Sequence, residues 1–289
     1  MEQHDSKAFV NRRSFLKGLA LGTAASLASP VAAEPVAKSG QIIEVWSCGG
    51  LAEAMHPAHQ AYEAQTGVHV AYTGAFAGAL GKPLLAGTST TDVFAGRVLA
   101  LAKNLRKAGR MRFFKPLCFT SYVMAVPKGN PGKITQLEDL AKKGVRVAMS
   151  PKASPPGGQA VMGILKAANL TKEIMSNVLD KDASCVQRTV QEVCSNQADV
   201  MIVERRVTRI PRFAPYLDVV EIPEKYFPAG PLTFTVGLME SVHDEGVAQN
   251  YIQWITSSQG QAFFEKVGFI PAISAKGQEL IEKLGVYDV

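Results

Sequence analysis

No internal stretch of this 289-residue chain approaches the roughly 18 uninterrupted apolar residues that a membrane-spanning helix requires. It has no low-complexity tract and no repeat of fixed period. No HExxH helix, Walker loop or triad signature is found, which favours binding over catalysis and predicts that the protein is not an enzyme. Only 19% of residues are charged, and no basic cluster is interleaved with aromatics, which argues against nucleic acid as a partner. What remains is ordinary globular composition, 47% hydrophobic, enough for one large or two medium cores.

Residues 1–33 read as an export signal: a polar start with paired arginines, a mildly apolar run over 18–30, then Val31-Ala32-Ala33. Gly18, Gly22 and Pro30 make a buried amphipathic helix a poor alternative. Arg12 and Arg13, followed by Ser14-Phe15-Leu16-Lys17, resemble the twin-arginine (Tat) signal, with Asn11 where Ser or Thr is usual. That resemblance implies passage of the folded chain through the Tat translocon into the periplasm. No cysteine follows the cleavage site, so no lipid anchor is expected there. The leader carries Lys7, Arg12, Arg13 and Lys17 against Glu2 and Asp5, so removing its net +2 from the whole chain's +6 leaves +4. A balance that mild predicts small partners.

After a tether at 34–40, strands and helices alternate. Residues 42–46 read as a strand ending in the Ser47-Cys48-Gly49-Gly50 turn. Residues 51–66 read as a helix stopped by Gly67. Strands follow at 68–72 and 92–94, with helices at 80–86 and 98–108. The middle section adds strands at 119–126, 145–149, 200–203 and 219–222, and helices at 137–142, 159–168, 173–178 and 186–196. The segment 251–268 reads as two helices. Such alternation predicts an α/β fold with mostly parallel, mixed sheets flanked by helices. Segments 117–124 and 231–238 look like two hinge crossings between lobes. The expected division is a leader at 1–33, lobe 1 from 34–118 plus 236–289, and lobe 2 from 119–235.

Several short motifs recur in a recognisable order: the Gly49-Gly50-Leu51 turn, Thr91-Asp92-Val93-Phe94, Val126-Pro127-Lys128, and Ser154-Pro155-Pro156-Gly157-Gly158. Ala198-Asp199-Val200-Met201-Ile202-Val203 and Gly260-Gln261-Ala262-Phe263-Phe264 continue it. Over roughly 41–269 the chain thereby resembles type II periplasmic solute-binding proteins, particularly the molybdate-binding branch. The resemblance implies a monomeric two-lobed receptor that closes on one small molecule or ion and passes it to an ABC transporter permease.

In open α/β sheets, ligands collect at the C-terminal ends of strands against helix N-termini. Four segments are expected to meet there: 47–51, 75–78, 154–158 and 184–186. Their glycines, among them Gly49, Gly50, Gly78, Gly157 and Gly158, permit close backbone approach, and a helix N-terminus favours an anion. Val186 opens one such helix. The molybdate branch holds its oxyanion with hydroxyls, and the matching positions here are Gly50, Ala77 and Glu204, none of which carries one. That departure argues against molybdate.

Thiols and charge stand in their place. Cys48, Cys118 and Cys185 are expected to face the cleft or its floor. A thiol at a helix N-terminus ionises more readily, and three thiols, with Glu204 nearby, suit a soft metal. A Cys48–Cys118 disulfide or small buried thiols are the alternatives, and Cys194 is expected to be structural, buried or paired with Cys185. Arg97, Arg205 and Arg206 follow strand ends, placed to clamp an anion or to form a solvated rim or an interlobe ion pair with Glu204. His56 and His59 are expected at the surface, and His69 has no evident partner. The expected ligand is thus an oxyanion or other small anion, or a thiophilic metal species. The competing readings are an exported thiol-dependent enzyme, a metal-handling protein or a sensor on the same fold.

Overall fold

The computed structural model describes residues 40–289; the expected leader and nearly all of its tether lie outside the described residues. The fold starts with β1 (Ile42–Cys48), whose alternate residues Ile43, Val45 and Ser47 are buried. The next helix, α1 (Ala52–Thr66), turns Ala54, Met55, Ala58, His59 and Tyr62 inward at helical spacing. It stops at Gly67, whose φ of +72° lies in the left-handed region that favours glycine, as the sequence predicts. Strand β2 (His69–Ala75) then pairs parallel with β1, and α2 (Ala77–Ala86) leads to β3 (Val93–Arg97), parallel to β1 on its other side.

After α3 (Leu99–Lys107) come β4 (Met111–Phe119) and β5 (Tyr122–Pro127). Strand β4 is absent from the sequence-based reading. Arg112, Lys115 and Pro116 interrupt its apolar run, and register shifts at 111–113 and 116–118 break its alternation. The segment 137–142, expected as an α-helix, is a 3-10 turn, Leu137–Ala141, held by a capping box between Gln136 and Asp139. The chain continues through β6 (Val147–Ala148), α4 (Gly157–Ala167), α5 (Thr171–Ser176) and α6 (Val186–Cys194). Strand β7 (Val200–Glu204), the short α7 (Arg205–Thr208) and β8 (Leu217–Glu221) follow. The end comprises β9 (Thr233–Met239), α8 (Glu245–Ile255), α9 (Ser258–Lys266), β10 (Ile270–Pro271) and α10 (Ala275–Leu284).

These strands form two sheets, one per lobe: a six-stranded sheet in the order β10-β4-β9-β3-β1-β2 and a four-stranded sheet in the order β6-β7-β5-β8. Each has its own core, one around Val45, Phe234 and Tyr251, the other around Tyr122, Ile164 and Ile202. The sheets are mixed, but β1–β2, β1–β3 and β6–β7 are the parallel pairs among eight, fewer than the mostly parallel arrangement expected. The reason is the double crossing. Strand β4 leaves the first sheet at Phe119, β5 enters the second at Tyr122, and β9 returns to lie antiparallel between β3 and β4. The two crossings are tied where the Thr120 N–H donates to the Leu232 carbonyl at 2.9 Å.

The contact between β4 and β9 depends on Gly237. A Cβ there would stand 2.6 Å from the Met111 sulfur and 2.7 Å from the Phe113 carbonyl oxygen. Gly237→Ala is therefore expected to lower stability by about 1–3 kcal/mol through overpacking. A urea denaturation midpoint equal to that of the wild type would refute this.

Candidate functional site

A cleft of about 750 Å³ opens between the lobes. The four segments expected to converge do so: the turn after β1, the end of β2 running into α2, the 153–157 loop before α4, and 184–187 at the start of α6. Cys48, Gly49, Gly50, Ala77, Arg97, Gly157, Cys185, Val186 and Glu204 line it.

Its floor is an ion-pair network. Arg97, at the end of β3, reaches Glu204, at the end of β7, with Nη1 2.6 Å from Oε1. Its Nη2 donates to the Tyr122 hydroxyl at 3.0 Å, and its guanidinium lies 5.3 Å from the Phe234 ring centroid. The other carboxylate oxygen of Glu204 accepts from Arg206 Nε at 2.7 Å, and Arg206 Nη1 lies 3.2 Å from Glu53 on α1. Arg97 and Glu53 belong to the six-stranded lobe, Glu204 and Arg206 to the four-stranded one, so the network joins the lobes at the base of the cleft. Glu204 and Arg97 are almost entirely withdrawn from water. Burial alone would raise the Glu204 pKa, but the two guanidiniums and their hydrogen bonds outweigh it and bring the carboxyl to about 2. For Arg97, burial favours the neutral form, and Glu204 overcomes it so that the cation is held more firmly than usual. The two arginines balance Glu204 and Glu53, so the network is neutral as a whole and Glu204 does not present the unpaired negative charge that its sequence position suggests.

Arg206 keeps one arm in reserve. Its Nη2 has no hydrogen-bond partner among the described residues, and a Cβ on Gly50 would stand 3.5 Å from it. A side chain at position 50 would begin in ordinary van der Waals contact with the Arg206 guanidinium, which therefore lies directly beside the β1 turn. The helices α2, α4 and α6 begin at the cleft with no side-chain cap, leaving first-turn N–H groups unclaimed by side chains. By contrast α8, α9 and α10 are capped by Asp244, Ser257 and Ser274. Helices α1, α3, α5 and α7 are uncapped too, so it is the convergence of α2, α4 and α6 at one place that distinguishes the cleft.

Four residues expected at the site lie elsewhere. Cys118 is fully buried in the core of the six-stranded lobe. Gly158 packs against the loop before α4, where a Cβ would stand 2.3 Å from the Pro151 carbonyl oxygen. Gly78 sits exposed on α2, away from the cleft lining. Arg205 turns away to pair with Glu221 and to donate to the Ser121 hydroxyl at 3.2 Å. Of the two adjacent arginines, the one at 206 faces the cleft because the short α7 turn sends consecutive side chains in different directions. Phe76, Glu53, Val207 and Ile210 also line the cleft and were not legible as site residues.

The thiols of the soft-metal reading do not gather: among the described residues no three His, Cys, Asp or Glu side chains form a cluster that could hold a metal ion. All four cysteines are free thiols, so neither proposed disulfide is present. Burial pushes the Cys48 thiol up rather than down, more than its Gly50 hydrogen bond and Arg97 offset, and pushes Cys118 well up. His59 is not at the surface. Its Nε2 lies 2.7 Å from the Tyr251 hydroxyl, and burial, aided by His56, lowers its pKa to about 4. His69 has a partner after all, Glu63, at 2.8 Å.

Two outcomes follow. Iodoacetamide applied to the native protein is expected to modify Cys185 first and Cys194 next, sparing Cys48 and Cys118 until unfolding, as read by peptide mass spectrometry. Early modification of Cys48 would contradict the burial described. Glu204→Gln is expected to cost about 3 kcal/mol at neutral pH, by linkage from a carboxyl at about 2 against its ordinary 4.5. Because the folded-state pKa is depressed, this stability is present above pH 4.5 and lost as pH falls towards 2. Denaturation of the variant should therefore lose less stability over that window, and a parallel pH profile would exclude the ion-pair account.

Residues 43–270 match the family model for bacterial extracellular solute-binding proteins. The chain is 26% identical over 255 residues to the molybdate-binding proteins ModA of Mycobacterium bovis and Mycobacterium tuberculosis, covering 87% of this chain and 92% of theirs. Among solved structures it resembles the substrate-binding domain of a putative molybdenum ABC transporter from Clostridium difficile, with TM-score 0.69 and 21% identity, over 80% of this chain and 98% of that one. It also resembles the periplasmic molybdate-binding protein of Azotobacter vinelandii, with TM-score 0.61 and 15% identity, over 79% and 98%. With a two-lobed fold, a cleft at the strand ends and a family match over most of its length, this chain belongs to the bacterial extracellular solute-binding proteins.

Proposed function

We propose that this protein is an exported receptor that captures one small anion in the interlobe cleft and delivers it to the permease of an ABC importer. The observation that carries this is the donor set around the cleft. Arg206 has an uncommitted Nη2 turned from its ion pairs with Glu204 and Glu53, and three helix N-termini without side-chain caps begin at the same cleft. Backbone N–H groups, the helix dipoles and one guanidinium arm suit an anion, and the Ser154 and Ser184 hydroxyls line the same space. The similarity to molybdate-binding proteins and to an ABC transporter domain supports the delivery role.

In this reading the lobes part close to the expected bounds, except that Phe119 and residues 233–235 belong to the six-stranded sheet, and they rotate about the paired crossings tied by Thr120 and Leu232. The leader at 1–33 sends the chain through the Tat translocon to the periplasm, where it works as a monomer. It binds without turnover. Cys48, the thiol nearest the floor network, is held protonated by burial and makes a poor nucleophile.

Calorimetric titration of the exported protein with inorganic oxyanions and small organic acids tests this, with native mass spectrometry identifying any ligand carried through purification. Arg206→Gln is expected to weaken binding of the preferred anion about 10- to 100-fold, the usual scale of one charged hydrogen bond. Equal affinity in the variant, or selective binding of cations, would overturn the proposal.

A further inference from the structure

The cleft combines a charged floor with walls that are apolar in part, beside Ser154, Ser184 and Gln187. Phe76, at the start of α2, is 70% exposed, the most exposed of the large hydrophobic residues described. Leaving an aromatic ring in water is unfavourable, and of the large exposed hydrophobic residues Phe76 alone lines the cleft. The other lobe contributes Pro155, Pro156, Val207 and Ile210 to the same space. These surfaces offer nothing to a hydrated tetrahedral ion.

The size of the space points the same way. At about 750 Å³ the cleft lies within the roughly 300–1,000 Å³ that holds organic ligands. The volume does not come from lobes standing apart at their base. Arg97 and Glu204 already meet at 2.6 Å and Arg206 and Glu53 at 3.2 Å, so the floor is drawn together and the space lies above it.

From this geometry we infer that the ligand is an organic anion: one carboxylate, phosphate-ester or sulfonate group joined to an apolar portion of several carbons. The inference rests on the anion-receptor reading above and adds the chemistry of the rest of the molecule. The charged group meets Arg206 Nη2 and the helix termini, while the hydrocarbon lies between Phe76 and the wall of Pro155, Pro156, Val207 and Ile210. Covering that ring favours the organic ligand over an inorganic ion of the same charged group by about 10- to 100-fold.

The test uses pairs matched in the charged group: inorganic phosphate with phenyl phosphate, sulfate with benzenesulfonate, and formate with benzoate and hexanoate, with molybdate alongside. Each is titrated calorimetrically into the exported wild type, Phe76→Ala, Phe76→Tyr and Arg206→Gln. At least one organic member is expected to bind ten times more tightly than its inorganic or one-carbon counterpart. Phe76→Ala should collapse that preference, Phe76→Tyr should retain it, and Arg206→Gln should weaken both members. Phe76 is exposed, so its replacement is not expected to disturb folding, and an unchanged thermal midpoint verifies this. If molybdate, sulfate or phosphate binds at least as tightly as every organic member, the organic-ligand inference falls and the anion-receptor reading stands. A preference that survives Phe76→Ala also overturns the inference, placing the exposed ring against another partner. If no anion of either kind binds, both readings fall together.

Discussion

The site is organised around one carboxylate. Glu204 ends a strand of one lobe with both oxygens occupied, one by Arg97 from the opposite lobe and one by Arg206 from its own. Burying a charge is tolerable only when it is paired and hydrogen-bonded, and here each partner makes the others possible. Without Glu204, two guanidiniums would face each other in a poorly solvated space. Without Arg97, a buried carboxylate would keep one uncompensated oxygen. The strand registers that set Tyr122 opposite Glu204 and aim Arg97 inward are thus coupled to the placement of charge.

That network changes what the rest of the cleft must do. With Arg97 committed to Glu204 and Tyr122, and most of Arg206 committed to Glu204 and Glu53, the charged donors are largely engaged, and Ser154, Ser184 and Gln187 are the neutral side-chain donors in the lining. In the proposed anion-receptor reading, recognition draws on backbone N–H groups where α2, α4 and α6 start, together with those side chains. Such donors cost little to organise because the helices already fix them, and they discriminate by charge and distance rather than by hydroxyl count. A glycine at 50 and an alanine at 77 are consistent with this arrangement: small residues leave the backbone and Arg206 accessible.

Much of this was legible in the sequence, and the failures share a cause. Strand–helix alternation, the Gly67 stop and the four cleft segments could be read because each depends on local pattern. Strand β4 could not, because its bulges and charged residues hide the alternation that long-range pairing with β9 restores. The place of Cys118 near a crossing points to the cleft, yet one strand position decides whether a side chain meets the core or the cleft. The same holds for Arg205 and Arg206, adjacent and chemically identical, of which the second faces inward. His59 looked like a surface residue beside Pro57, and only its packing against Tyr72 and Tyr251, distant in sequence, shows it buried.

The paired crossings and the ionic floor together limit how the lobes can move. Thr120 and Leu232 fix the two connecting segments side by side, and Arg97–Glu204 with Arg206–Glu53 joins the lobes nearer the cleft. Rotation that opened the floor would expose Glu204 to one guanidinium fewer and separate charges held close in a low-dielectric setting, which is costly. Motion that closes the upper walls breaks none of these contacts. Ligand capture is therefore cheapest as a closing of the apolar rim, with Phe76 on one side and Pro155 and Pro156 on the other, over a floor that stays in place.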